Sequence, residues 1–310
     1  MKKIILITIF TFLSSYFISA QVTEKEDVLK KINTDTISGW KKGGMFAFTF
    51  GQSSFTNWAA GGINNISVNG ITNLFASYKK DNLTWDNTLN LAYGIQILGK
   101  GEDKSTQKTD DKLDFSSKLG IKATDKLYYA ALMNFRTQFT DGYNYPDDST
   151  VISTFMAPGY LIFAAGIDYK PNKNLSVFLA PLTSKTTFVS NQTLADAGAY
   201  GVEAGEKIRS EFGGYFKASY TEDIMENVNL NTKLGLFSNY LHNPQNIDVN
   251  WEVLIGMKIN KYITANLSTQ LLYDDDILVP VDTNNDGTND GTGKRIQFKE
   301  ILGVGFSVKF

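Results

Sequence analysis

Residues 83–97 read LTWDNTLNLAYGIQI, and their pattern decides the fold class. Apart from Asn87, apolar side chains occupy one parity, whereas polar or small residues fill the other. The apolar set is Leu83, Trp85, Leu89, Leu91, Tyr93, Ile95 and Ile97. A period of two is typical of a β-strand with one apolar face. At about 3.3 Å per residue and a tilt of about 45°, a strand of this length crosses a bilayer.

Residues 296–310 alternate in the same way, with one interruption at Glu300. Phe298, Leu302, Val304, Phe306, Val308 and Phe310 share one parity. This segment resembles the closing strand of bacterial outer-membrane β-barrels, whose terminal aromatic residue is read by the insertion machinery. We therefore expect the barrel-insertion machinery to recognise the strand that ends at Phe310. A soluble β-sandwich could end in the same kind of strand. The lengths of the connections between strands are therefore needed to distinguish a barrel from a sandwich.

The connections between strands alternate between short and long. Ten further segments show the strand pattern, namely residues 46–50, 66–78, 113–121, 127–139, 161–169, 175–182, 212–220, 228–240, 249–259 and 263–273. The short connections are residues 79–82, 122–126, 171–174, 221–227 and 260–262. An up-and-down barrel requires this alternation, and a Greek-key sandwich does not. We predict an all-β fold, a transmembrane up-and-down antiparallel β-barrel of about 12 strands.

The amino terminus predicts export. Lys2 and Lys3 precede an apolar run over residues 4–13, and Ala20 offers a small residue for cleavage, as in a secretory signal peptide. We predict a signal peptide at residues 1–20, a short periplasmic segment at residues 21–42 and the barrel at residues 43–310. Cleavage near Ala20 would then deliver the chain to the cell outer membrane. The chain has no Cys, so disulfides do not stabilise it.

Parity also predicts which side chains face lipid and which face the lumen. The apolar parity must face hydrocarbon, where outer-membrane lipid and lipopolysaccharide are the expected partners. Aromatic residues near strand ends should form interfacial girdles; they are Tyr78, Trp85, Tyr93, Phe139, Tyr169 and Tyr273. We expect the inward parity to be polar throughout. Its charged members include Asp86, Arg136, Lys217, Lys233, Glu252 and Lys258.

A loop motif goes beyond architecture. Asn57, Trp58, Gly61 and Gly62 form an Asn-Trp-x-x-Gly-Gly element after the first strand, and a Trp-Asp-Asn segment follows at residues 85–87. Together these resemble a Bacteroidota outer-membrane β-barrel family catalogued as a domain of unknown function. The resemblance implies an outer-membrane barrel and carries no substrate and no catalytic residue. Two interpretations of the motif stay open: a loop anchored by the indole, or a platform for a sugar or lipid.

Residue types argue against an enzyme and against a cofactor. His242 is the sole histidine, and no serine lies two residues further on, as a His–Ser pair on one strand face would need. The net charge of −2 argues against a nucleic-acid partner. Asp282, Asn284, Asp286 and Asp290 match the start of a calcium loop, but Gly293 stands where a bidentate Glu is needed. A weak Ca²⁺ site and a metal-free acidic loop are both open.

Three functions are compatible with these residues. The first is a narrow passive pore for small polar or anionic solutes. The second is a non-conducting structural or accessory barrel that acts with other envelope proteins through its long outer loops. The third is a barrel enzyme that modifies lipid or lipopolysaccharide. The lumen charges separate the first two, because they either line a water-filled path or pair across the lumen and close it.

Overall fold

The structure, a computed structural model, describes residues 38–56, 62–101, 104–145, 147–260, 262–281 and 291–310. Twelve strands form a closed barrel. They are β1 Gly39–Ser53, β2 Asn65–Lys80, β3 Leu83–Leu98, β4 Ser105–Lys122, β5 Leu127–Thr137, β8 Gly159–Tyr169, β9 Leu175–Phe188, β10 Ile208–Met225, β11 Val228–Asn239, β12 Ile247–Lys258, β13 Ile263–Tyr273 and β16 Gln297–Lys309. All neighbours pair antiparallel, so the predicted barrel is confirmed.

The remaining elements lie in the long connections. Two small hairpins pair β6 Gly142–Tyr143 with β7 Val151–Ser153, and β14 Val279–Val281 with β15 Gly291–Gly293. Helix α1 spans Gln192–Asp196, and a 3-10 turn spans Ala199–Gly201. Neither of these helical elements is long and apolar enough to cross a membrane. The first barrel strand starts at Gly39, inside the segment that the sequence placed before the barrel.

The barrel closes between its first and last strands. Five residue pairs join β1 to β16, from Met45 opposite Lys309 to Thr49 opposite Gly305. Gly44 and Phe310 extend this seam, because each backbone N–H donates to the other's carbonyl oxygen at 2.8 and 3.0 Å. Phe310 thus takes part in closing the barrel.

The outer wall is apolar, as the alternation predicts. In β16 the outward side chains of Phe298, Leu302 and Phe306 are 63, 67 and 62% exposed, whereas Ser307 on the other parity is 5% exposed. At the end with the short turns, the Trp40 ring lies 5.3 Å from Tyr78 and 5.5 Å from Trp85. The girdle residues Tyr93, Phe139 and Tyr169 are also exposed. Exposed large apolar side chains lie on ten of the twelve barrel strands, and such an outer surface is what hydrocarbon requires.

Candidate functional site

A charged bridge spans the inside of the barrel. Lys112 on β4 donates to Glu252 on β12, with 2.9 Å between Nζ and Oε1. Five strands separate β4 from β12 in either direction around the ring, so these two strands lie opposite each other. A direct contact between them must cross the lumen, and this fixes the inward face of both strands. Because residues paired across neighbouring strands share a face, the strand register carries the assignment around the barrel.

Two further charges complete this bridge. Arg136 on β5 lies 3.3 Å from the Glu252 carboxylate and 3.4 Å from the Asp114 carboxylate. Lys112 is 3.8 Å from Asp114, and Gln270 donates to Glu252 at 3.4 Å. We call Lys112, Asp114, Arg136 and Glu252 the central bridge. Its two positive and two negative charges balance one another.

A second group of charges lies towards the end with the long loops. The Lys185 ammonium is 2.6 Å from Asp248, 3.0 Å from Asp274 and 3.5 Å from Glu211. Arg209 pairs with both Glu211 and Asp276. We call these six side chains the outer cluster. Four carboxylates surround two cations there, so this end of the lumen is acidic.

A third group lies near the short turns. Asp168 on β8 accepts from Lys118 on β4, and its other oxygen accepts from Ser176 on β9 at 2.7 Å. Lys170 lies 3.5 Å from Asp168 and 3.5 Å from Asp86. Ion pairs therefore occur at three heights along the lumen.

Between these charged groups, one side of the lumen is packed with apolar side chains, which corrects the expectation of a polar inner face throughout. Ala130, Leu132, Ala164, Phe178 and Ala180 form a buried cluster, against which Ile162 and Tyr215 pack. These residues belong to β5, β8, β9 and β10, on one side of the central bridge. We call this side the apolar half.

A β-bulge explains how both Phe178 and Lys185 face inward. The register of β9 against β8 and β10 shifts between Ala180 and Thr183, where β9 carries one extra residue. Even-numbered residues face inward before the bulge, and odd-numbered residues face inward after it. Gly166 allows the close approach, because a Cβ there would lie 2.0 Å from the Leu179 carbonyl oxygen. Without the bulge, Lys185 would point into lipid.

The loops at the outer end form a cap with its own core. Ala157, Val189, Leu194, Ala195 and Val202 pack together and join the β5–β8 loop to the β9–β10 loop; we call them the outer cap. Asn191 caps helix α1 by accepting from the Leu194 N–H at 3.1 Å. The cap meets the outer cluster where Arg209 donates to the Gly201 carbonyl oxygen at 3.2 Å.

Two loop residues at this end have altered acidity. Burial raises the pKa of the Tyr200 hydroxyl to about 12, and this hydroxyl donates to the Ile152 carbonyl oxygen. The hydrogen bond from Lys294 lowers the pKa of the Asp275 carboxyl. The Tyr200 hydroxyl is thus neutral and the Asp275 carboxyl is charged at neutral pH.

The lumen residues named from the sequence lie at different places along the barrel. Arg136 and Glu252 belong to the central bridge, and Asp86 pairs with Lys170. Lys233 is the cross-strand neighbour of Glu252, and Lys217 on β10 lies opposite Phe178 on β9 and Gly235 on β11. Lys258 shares the inward parity of β12. Sequence reasoning missed Lys112, which contacts Glu252 across the lumen, and Lys185, which contacts three carboxylates.

The loop and metal candidates fall mostly outside the described residues. This applies to Asn57, Trp58 and Gly61 of the loop motif, and to Asp282, Asn284, Asp286 and Asp290. Gly62 is described, and its φ of +150° with the Phe55 ring beside it suits a residue without Cβ. Three carboxylates that precede this loop in sequence, and that could close a calcium site, are paired with cations: Asp274 with Lys185, Asp275 with Lys294 and Asp276 with Arg209. His242 lies in an exposed turn, 3.0 Å from the Asn243 amide.

Three solved structures that are similar to this chain are an outer-membrane channel, the translocator domain of an autotransporter and a porin. An outer-membrane channel from Pseudomonas putida F1 is 13% identical, with 89% of this chain and 97% of that chain covered and a TM-score of 0.40. The translocator domain of the autotransporter NalP from Neisseria meningitidis is 10% identical, with coverages of 93 and 96% and a TM-score of 0.33. The NanC porin is 10% identical, with coverages of 85 and 98% and a TM-score of 0.36. The likeness is one of barrel architecture.

One family model matches part of the sequence. No curated protein matches the chain. The model of a family described as a protein of unknown function, DUF3078, matches residues 50–143. The matched residues run from the end of β1 to β6 and contain the loop motif together with Lys112, Asp114 and Arg136 of the central bridge.

Proposed function

We propose that the protein is an outer-membrane β-barrel and a narrow pore for small polar solutes, held closed by the central bridge. The apolar outer wall and the aromatic residues at its ends support placement in a bilayer. Outer-membrane lipid and lipopolysaccharide would contact that wall, and the insertion machinery would read the strand ending at Phe310. Signal-peptide cleavage near Ala20 belongs to the same proposal.

The contact between Lys112 and Glu252 carries the pore proposal. It joins opposite walls of the barrel, so a solute must pass beside it or displace it. The apolar half is packed with side chains, and passage is therefore confined to the other side of the bridge. A lumen divided in this way conducts little until the bridge opens.

The chemistry of the bridge favours a gate over a permanent plug. Replacing buried ion pairs with apolar side chains is often neutral or stabilising, so stability alone does not require charges at this position. Charged groups have a second property, because water and ions compete for them and can separate them. A barrel that only needed filling could extend its apolar half across the whole lumen.

Conductance across planar bilayers tests this proposal. The unmodified barrel should show low conductance with rare openings. The double variant Lys112→Met/Glu252→Gln removes one charge of each sign, leaves the pair of Arg136 and Asp114, and should raise the conductance several-fold. Lys122→Met/Asp125→Asn makes a matching charge change in an exposed turn, where the two side chains pair at 2.8 Å, and should behave as the unmodified protein does. If the inserted double variant does not conduct, the pore proposal fails.

A second candidate function is an accessory barrel that acts through its outer loops. The outer cap favours it, because two loops that only connected strands would not need a shared apolar core. Failure of the conductance test would make this candidate the leading one. An enzyme that modifies lipid is the weakest candidate, since His242 lies in an exposed turn and its described contact is an amide.

A further inference from the structure

Two lysines of the lumen differ from those that form ion pairs. Lys217 and Lys233 lie partly exposed on the inward faces of β10 and β11, and neither makes a hydrogen bond or an ion pair with another described residue. Five other inward lysines lie 2.5 to 3.5 Å from a carboxylate; they are Lys112, Lys118, Lys170, Lys185 and Lys299. Lys217 and Lys233 thus carry positive charge that no described carboxylate balances at contact distance.

The two lysines lie side by side on neighbouring strands. In the ladder between β10 and β11, Lys217 lies opposite Gly235, and Lys233 lies opposite Ser219. They are therefore diagonal neighbours on one face of the sheet, at about 7 to 8 Å, a separation that long side chains can bridge. Because a single ladder positions both residues, they belong to one patch of the lumen wall.

Gly235 leaves space in this patch. A Cβ there would lie 3.2 Å from the Tyr215 hydroxyl oxygen, so this hydroxyl lies close to the glycine. Neither the Tyr215 hydroxyl nor the Ser219 hydroxyl makes a hydrogen bond within the part of the chain that the structure describes. Two ammonium groups and two hydroxyls thus lie around Gly235, and all four can donate hydrogen bonds.

These groups match one class of ligand. Like charges on neighbouring strands repel one another, and an anion between them removes that cost. Carboxylate and phosphate groups carry the required negative charge, and their oxygens accept hydrogen bonds from ammonium and hydroxyl groups. A cation would be repelled, and a neutral solute would leave the two positive charges unbalanced.

The patch adjoins the central bridge. Lys233 lies opposite Glu252 in the ladder between β11 and β12. The Glu252 Oε1 atom accepts from Lys112 at 2.9 Å and from Arg136 at 3.3 Å. An anion held by Lys233 would lie next to the Glu252 carboxylate, repel it and compete with it for these two cations. Binding would therefore weaken the contact that joins opposite walls of the barrel.

We propose that Lys217 and Lys233 form a binding site for a small oxyanion, a carboxylate or phosphate group, and that its occupation opens the central bridge. The Tyr215 and Ser219 hydroxyls complete the site. The opening step rests on the proposed pore, whereas binding of the anion does not.

A titration followed by phosphorus NMR tests the site, with inorganic phosphate as the probe. The unmodified protein in detergent micelles should broaden the phosphate signal. Lys217→Met/Lys233→Met should weaken binding by about tenfold or more, since each substitution removes a charged hydrogen-bond donor. Lys126→Met/Lys173→Met is the matched control, because it removes the same charge from exposed short turns and should bind phosphate as the unmodified protein does. Lys217→Arg/Lys233→Arg keeps both charges and should retain binding, which separates charge from a folding defect.

Conductance across planar bilayers tests the opening step. Potassium phosphate, added at constant ionic strength, should raise the opening frequency of the unmodified barrel several-fold. Lys217→Met/Lys233→Met should abolish this response, and the control in the short turns should keep it.

The outcomes separate the site from the pore. If the unmodified protein does not bind phosphate, or the double Met variant binds it equally well, the site is refuted while the pore proposal stands. Binding that depends on the lysines, in a barrel whose conductance ignores phosphate although Lys112→Met/Glu252→Gln conducts, refutes the opening step. If Lys112→Met/Glu252→Gln does not conduct, the pore proposal fails and the phosphate titration still decides the site.

Discussion

At the scale of single residues, Lys185 decides whether the outer cluster is stable. Its ammonium is the shared partner of Glu211, Asp248 and Asp274, and its side chain is 10% exposed. Three carboxylates held together at low exposure repel one another unless a cation lies between them. Arg209 supplies a second cation, but it contacts only Glu211 within this trio.

Lys185→Met should therefore destabilise the folded barrel by about 3 kcal/mol, because it leaves buried carboxylates without their cation. The measurement is urea unfolding in lipid vesicles, followed by tryptophan fluorescence. The loss should be smaller at pH 5 than at pH 8, since protonation removes the repulsion that the substitution exposes. Lys207→Met, at an exposed position in the loop between β9 and β10, is the control and should change little. Equal effects of the two substitutions would contradict this role of Lys185.

Single lumen residues were also the hardest feature to predict from sequence. Arg136 and Glu252 lie on strands with clear alternation, so parity alone placed them on the inward face. Lys112 lies in the part of β4 before residue 113, where polar residues occupy both parities and no strand pattern is visible. Lys185 follows the β9 bulge, and a bulge reverses parity without any mark in the sequence.

At the scale of elements, the strands were predictable because hydrocarbon imposes one rule on every outward position. The sequence pattern located all twelve barrel strands. The observed strands extend beyond the predicted ends where polar residues continue the pairing, as in β4, which starts at Ser105 and not at residue 113. The contents of the lumen follow no comparable rule. An inward position accepts a charged side chain, an amide or an apolar side chain, provided that its neighbours supply an opposite charge, a hydrogen-bond partner or an apolar contact.

Leu91→Arg tests the facing of β3. Leu91 lies near the middle of the strand, opposite Thr72 and Leu113 on the outer face. An arginine there should cost about 2 to 4 kcal/mol of unfolding free energy, since it enters hydrocarbon. Asn90→Arg places the same side chain inside, opposite Asp114, and should cost less than about 1 kcal/mol. Urea titration of both variants in vesicles measures the difference, and equal losses would refute the facing.

Gly166→Ala tests the bulge. The new methyl group would lie 2.0 Å from the Leu179 carbonyl oxygen, so β8 and β9 would have to separate. We expect a loss of more than about 2 kcal/mol in the same unfolding measurement. Gly256→Ala is the control, because its methyl group would meet nothing nearer than the Asn266 amide oxygen at 3.6 Å, and it should stay within about 0.5 kcal/mol. A tolerated Gly166→Ala would mean that the bulge needs no glycine.

At the scale of the whole molecule, the central bridge separates two unlike sides of one barrel. The apolar half carries the buried cluster of β5, β8, β9 and β10, whereas the inward parity of β13, β16, β1, β2 and β3 is rich in amides, hydroxyls and glycines. Changes in the apolar half should therefore affect folding more than changes on the opposite side do.

Phe310 can contribute to the barrel through its backbone, which closes the seam, and through its side chain, which the insertion machinery would recognise. The Phe310 backbone makes two hydrogen bonds with Gly44, and its side chain is 64% exposed on the outer face. Deleting Phe310 should lower both the rate of assembly and the stability of the assembled barrel, because the seam loses both bonds. Phe310→Ala keeps the backbone bonds, so it should slow assembly while the assembled barrel unfolds at the urea concentration of the unmodified protein. Pulse-labelled cells provide the assembly rate through the heat-modifiable band, and urea titration provides the stability. If Phe310→Ala assembles at the normal rate, the insertion machinery does not read this aromatic ring, whereas a fully stable deletion variant would show that the seam closes without these bonds.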